Sequence, residues 1–133
     1  MNLQIEQDII KKFVNPIKRK RLLYLAQKPK KRTDLIWSFH ASEILWEKCL
    51  VEIPGKEQYA NNIHELMEKL GASEKCYGIS GIEEIDGKEG KLIEFLEIVV
   101  GCTIGTILYC PKTNIGYFEG GHIKDRYVLQ STK

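Results

Sequence analysis

The chain is short of the residues that announce a chemistry. Its three histidines, His40, His64 and His122, fall in three different expected elements with no partner at i, i+4. Zinc sites need at least three convergent nitrogen or sulfur ligands, so no metal and no cofactor is expected. The four cysteines, Cys49, Cys76, Cys102 and Cys110, contain no C-x-x-C pair. Without an export signal they are expected to be buried free thiols. A Cys–His nucleophile pair, such as Cys110 with His122, has no characteristic spacing by which to recognise it. A long apolar run is missing too. Glu94 and Glu97 interrupt the stretch from Leu92 to Cys110, and the charge-free remainder falls short of the roughly 20 residues that span a bilayer. The opening MNLQIEQDII carries Glu6 and Asp8 where a secretory signal has basic residues ahead of an apolar run. No membrane partner is therefore expected, and the cytoplasm is the expected compartment.

What is present is ordinary globular composition: 43% hydrophobic and 29% charged over 133 residues. That excludes a disordered tail, a collagen-like repeat and a disulfide-stapled mini-protein. The length suits one domain, 1–133, able to bury about two-thirds of its unfolded surface.

Two glycine patterns invite a phosphate reading and fail it. Gly81 and Gly87-Lys88 are separated by five residues, and Glu89 follows where a phosphate loop needs four residues and a Ser or Thr for Mg²⁺. Gly101-x-x-x-Gly105 lies between an expected helix and strand, the reverse of the order a dinucleotide site requires.

The net charge of +2 conceals a division at Arg32. Residues 1–32 hold ten Lys/Arg and two acids, net +8, and the remainder is net −6. Clustered cations neutralise phosphates without regard to sequence. The leading expectation is therefore a non-enzymatic binding domain that sets Lys18, Arg19, Lys20, Arg21, Lys30, Lys31 and Arg32 against nucleic acid. An acidic protein is another possible target of the patch, and a protein-interaction module of the immunity or antitoxin type is a separate alternative. The cations can equally form a solvated face paired with acids of the same chain or of a second copy. Only Phe13 and Tyr24 interleave the cluster, which favours backbone contact over base stacking.

Periodicity places these residues on helices. Ile5, Ile9, Ile10, Phe13 and Val14 recur at helical spacing. Asn15-Pro16 supplies an N-cap followed by proline at the first helical position, and Pro29 opens a third helix carrying Leu35, Ile36 and Phe39 inward. Leu45–Ile53 reads as a strand. Tyr59, Ile63, Leu66, Met67 and Leu70 form a helical stripe closed by Gly71, and Leu92, Phe95, Leu96 and Val99 form another closed by Gly101. Lys75–Ser80, Ile104–Cys110, Ile115–Glu119 and Arg126–Gln130 read as strands, with 81–90 a polar loop turning at Asp86-Gly87. The expected fold is α+β: a basic helical third packed on a mixed sheet of about four or five strands, ending in an antiparallel meander. Lys75–Ser80 and Ile104–Cys110 are expected to flank helix 91–100 in a right-handed βαβ unit. No internal repeat is expected.

The last hairpin offers an alternative site. Alternation puts Ile115, Tyr117 and Glu119 on one face, and a six-residue loop, Gly120 to Asp125, places Glu119 opposite Arg126, either as a cross-strand ion pair or as the rim of a pocket. In the second case Glu119 is a general base, Arg126 an anion binder, and His40 a neighbour, in a small enzyme or ligand-binding protein.

In order, the Lys-Pro-Lys-Lys-Arg helix running to His40, LGASEKCYGIS, an Asp-Gly loop, VVGCTIGTILYC, GYFEGG and RYVLQ resemble a family of small bacterial proteins, over roughly Lys18 to Gln130. That family has no assigned activity. The resemblance implies a bacterial, cytosolic, free-standing domain and transfers no catalytic residue.

Overall fold

Two strands of this chain have no polar face at all. Thr106–Cys110 and Ile115–Glu119 are buried at every position, so the sheet they form must be covered on both sides. The computed structural model, which describes residues 1–55 and 58–131, shows how. Helices α1 (Leu3–Phe13), α2 (Arg19–Ala26) and α3 (Arg32–Ser38) belong to one side, and α4 (Ala60–Lys69) and α5 (Leu92–Val99) to the other. Between them lie β1 (Leu50–Glu52), β2 (Lys75–Ser80), β3 (Glu89–Lys91), β4 (Thr106–Cys110), β5 (Ile115–Glu119) and β6 (Arg126–Gln130), in the order β1-β6-β5-β4-β2-β3. The fold is α+β, with six strands.

Strand alternation divides the core in two. Tyr77, Ile79, Ile107, Tyr109, Phe118 and Leu129 meet Ile9, Ile10, Phe13, Leu22, Leu25, Leu35 and Phe39 on one face. Cys76, Leu108, Cys110, Ile115, Tyr117 and Val128 meet Ile63, Met67, Leu92, Leu96 and Val99 on the other. The helix ends follow their signals. Asn2 and Asn15 accept hydrogen bonds from Ile5 and Ile17 as N-caps, and Gly71 and Gly101 take positive φ after α4 and α5.

Five sequence expectations are corrected. The sheet is antiparallel throughout, not mixed. The polar loop expected at 81–90 contains the start of β3, which pairs back on β2. That extra reversal sends α5 off in the opposite direction, so β4 returns antiparallel to β2 where a βαβ unit would have made it parallel. The strand expected over Leu45–Ile53 is broken. Leu45 bridges Val14, a 3₁₀ turn spans Glu47–Cys49, and only Leu50–Glu52 joins the sheet.

The expectation of no internal repeat is corrected as well. A 3₁₀ turn, Pro16–Lys18, leads into α2, and a second, Pro29–Lys31, leads into α3. The two units align thirteen residues apart as PIKRKRLLY and PKKRTDLIW. Leu22 and Leu35 are buried, Leu23 and Ile36 are half-buried, and Tyr24 and Trp37 face solvent. The chain thus carries an internal repeat of one short helical unit.

Of the four thiols, Cys102 is exposed and the other three are buried. Burial raises the Cys49 and Cys76 thiols above their ordinary range and pushes Cys110 up to about 11. Titration of the native protein with a thiol reagent is expected to modify Cys102 alone, with the other three reacting only on unfolding. The raised Cys110 value also fixes a pH dependence. Its contribution to stability is complete below the ordinary thiol value of 9.0 and is lost as pH rises through about 11. Burial shifts the Tyr77, Tyr109 and Tyr117 phenols in the same direction. Thermal unfolding followed from pH 8 upward should therefore show a falling Tm beyond about pH 9.

Candidate functional site

In the basic segment, helical geometry sorts the cations into two sets. The arginine three residues after each proline turns inward. Arg19 donates from Nε to the Val14 carbonyl at 2.9 Å and lies 5.0 Å over the Trp46 ring. Arg32 goes further in. Its guanidinium clasps Asp86 through two hydrogen bonds, at 3.0 and 2.7 Å, and reaches buried Glu6 at 2.6 Å. Glu6 also accepts from the Tyr77 hydroxyl, and Asp86 from the Ser80 amide at 3.1 Å. Burial alone would lower the Arg32 pKa, but the hydrogen bonds to Asp86 and then Glu6 outweigh it and hold the group above its ordinary value. Lys12 is occupied as well, donating to Asp8, Tyr109 and Asn114.

The second set points out. Lys18, Lys20, Arg21, Lys30 and Lys31 are all exposed, and among the described residues none of them forms an ion pair. Their elements are contiguous, because α2 packs against both 3₁₀ turns and against α3. Asp34 on α3 and Glu43 and Glu47 in the turns after it are exposed on the same side of the sheet, but among the described residues they form no ion pair with these cations. Glu65, Glu68, Glu94 and Glu97 are exposed on α4 and α5, across the sheet. With helices about 10 Å wide on either side of the strands, these four acids stand roughly 20 Å from the outward cations. At physiological salt the screening length is about 8 Å. Part of the negative charge that gives the chain its near-neutral total is thus held across the sheet from the basic segment.

Two aromatic rings accompany the outward cations. Tyr24 is 51% exposed, with the Lys28 ammonium 5.7 Å from its ring centroid. Trp37 is 69% exposed and stacks on the His40 imidazole at 4.6 Å, nearly parallel. Phe13, the other aromatic of the cluster, is fully buried. Trp37 escaped the sequence reading because it lies five residues past Arg32, where the charge run stops; its match with Tyr24 in the repeat was the available signal.

The hairpin candidates are built differently. Glu119 and Arg126 sit opposite each other in the β5–β6 register, with Arg126 Nε 3.4 Å from Oε1. Glu119 is fully buried, and both carboxylate oxygens are taken. Oε1 accepts from the Gly101 amide at 3.1 Å and the Tyr117 hydroxyl at 2.7 Å, and Oε2 from the Thr103 amide at 2.7 Å. Thr103 holds a φ of +53°, uncommon for a β-branched residue, and the carboxylate anchors it there. His40 is brought to the same end of β5, its carbonyl accepting from Gly121 at 2.7 Å. Its imidazole, however, belongs to the exposed stack with Trp37. Gly121 makes room for it, since a Cβ there would stand 1.9 Å from His40 Cε1. Chemically, Glu119 is a clamp on the turn between α5 and β4.

Among the described residues, no group of three or more His, Cys, Asp or Glu side chains is placed to hold a metal ion. No helix among them is long and apolar enough to cross a membrane.

Removing Arg32 leaves Glu6 buried without its cation. Arg32→Ala is expected to cost about 3 kcal/mol or more, read as a lower urea midpoint at unchanged slope. Arg32→Lys should recover less than half of that, because an ammonium cannot reproduce the paired contact with Asp86. Glu119→Ala should speed amide hydrogen exchange at Gly101 and Thr103 by about tenfold or more, the loss of a charged hydrogen bond at each. Comparison of the chain with family models, curated proteins and solved structures finds no match, so a functional reading rests on these residues.

Proposed function

We propose that the protein is a non-enzymatic binding domain whose basic helical face takes a polyanion, nucleic acid first among them. One observation carries this reading. Five cations, Lys18, Lys20, Arg21, Lys30 and Lys31, remain exposed and without an ion pair among the described residues. The inward arginines of the same segment are bonded to the protein, Arg19 to a backbone carbonyl and Arg32 to two acids. Contact between such cations and phosphates releases condensed counterions, and this gives affinity independent of sequence.

Binding of a fluorescently labelled oligonucleotide, followed by anisotropy across a salt series, tests the proposal. Five phosphate contacts give a log–log slope of about −3.5 to −4.5, so affinity should fall about 100- to 500-fold between about 50 and 200 mM salt. Reversing Lys18, Lys20 and Arg21 to Glu should abolish binding, whereas Glu94→Lys with Glu97→Lys, on the opposite face, should leave the reversal-sensitive site intact. Absence of binding at about 50 mM salt would overturn the reading. A salt-sensitive dimer that forms without nucleic acid and is lost in the triple reversal would instead assign the face to a second copy of the chain.

A further inference from the structure

The repeated helical unit says which form of nucleic acid the face suits. We infer that it binds a single strand, with one base stacked on Tyr24, another on Trp37, and the intervening phosphates held by the outward cations. The inference rests on the polyanion reading above and deepens it.

Both rings occupy the same place in their units, eight residues after the opening proline. Isolated exposed aromatics are common on protein surfaces and need no explanation. Here the same repeat position holds an exposed ring twice, while the buried leucine and inward arginine of each unit are also kept. Duplex DNA offers phosphates and groove edges but no free base faces; a single strand offers phosphates and a π-face at every nucleotide. An acidic peptide uses the cations and leaves both rings without a role.

Local geometry shapes the two platforms differently. Along α2, Lys20 and Arg21 precede Tyr24 by four and three residues, so cations and ring share one helical face. In the second unit Trp37 is braced. The His40 imidazole backs its ring, and His40 is itself seated in the space left by Gly121. Beside Trp37 an open recess of about 220 Å³ is lined by Ile36, Gly81, Thr103 and Ile104. Its far wall is the turn that Glu119 clamps. The units are not equal in charge: Asp34 stands in the second where Arg21 stands in the first. The first unit is the stronger phosphate site and the second the more rigid stacking site.

The test uses the full-length protein with oligothymidylate of about 12 nucleotides, within the range such sites cover, and a duplex of equal length. The single strand should bind at least tenfold tighter. Tyr24→Leu and Trp37→Leu should each weaken it about tenfold while leaving duplex binding unchanged, and Trp37→Phe, which keeps a ring, should retain most of the affinity. In a Trp46→Phe background, where Trp37 is the sole tryptophan, oligothymidylate should quench its emission. An unchanged Tm shows that the leucine variants remain folded. Equal binding of single strand and duplex, with both leucine variants neutral, would overturn this inference and leave the polyanion reading standing. Binding of polyglutamate with none to either nucleic acid would assign the face to an acidic protein and overturn both. No binding to any of the three polyanions would remove the polyanion reading itself.

Discussion

Arg32 is the residue on which the basic segment depends. It sits at the first position of α3, with its side chain only 14% exposed, and it ties three separate pieces of chain together. Glu6 comes from α1, Asp86 from the turn before β3, and through their other bonds these acids reach Tyr77 and Ser80 of β2. A buried carboxylate such as Glu6 is tolerable only if it is paired and hydrogen-bonded, and Arg32 meets the first condition while Tyr77 helps with the second. The planar guanidinium matters here, since it serves Asp86 with two parallel donors and still has an N–H free for Glu6. Helix α3, and with it Trp37 and His40, is oriented by that contact. An arginine that reads as one more surface cation in the sequence is the internal fastening of the surface.

The repeat explains how one segment can be both fastening and surface. Proline at the first position of each unit fixes the entry to the helix without wasting a hydrogen bond, and the residues that follow wind outward and inward with the helical period. The arginine three places on and the leucine six places on turn to the protein; the lysines and the aromatic ring do not. The first unit closes on a backbone carbonyl and Trp46, the second on two acids. Alternate use of the same short pattern thus gives one charge to the core and leaves the neighbouring charges to solvent.

Much of this was legible. The apolar stripes of α1, α4 and α5, the proline entries, the C-terminal meander and the pairing of Glu119 with Arg126 all follow from local rules of period and turn chemistry. The failures share a cause, which is dependence on distant residues. Strand β3 is Glu89-Gly90-Lys91, with no β-prone residue; it exists because β2 offers a free edge and Phe95 packs where a Cβ on Gly90 would stand. Once β3 is missed, the direction of β4 is necessarily misread. The role of Glu119 likewise depends on Gly101 and Thr103, sixteen or more residues upstream, and no spacing rule connects them. The repeat is a different case. Its signal was in the sequence, but only Pro, Lys, Arg and Leu are identical between the units, and Thr33 and Asp34 replace Lys20 and Arg21 in the middle of the motif.

The division of charge at Arg32 now has a physical form. Ten cations in the first 32 residues do not make a uniform patch, because three of them, Lys12, Arg19 and Arg32, are bonded into the protein. Four of the acids that balance the total, Glu65, Glu68, Glu94 and Glu97, lie on helices beyond the sheet, farther away than the screening length. Net charge therefore says nothing about what this surface meets in solution. What a ligand meets is a helical face with lysines free, arginine fastened beneath, and a ring at the same point of each unit. A polyanion with exposed flat faces satisfies every one of those features, and simpler anions satisfy only the first.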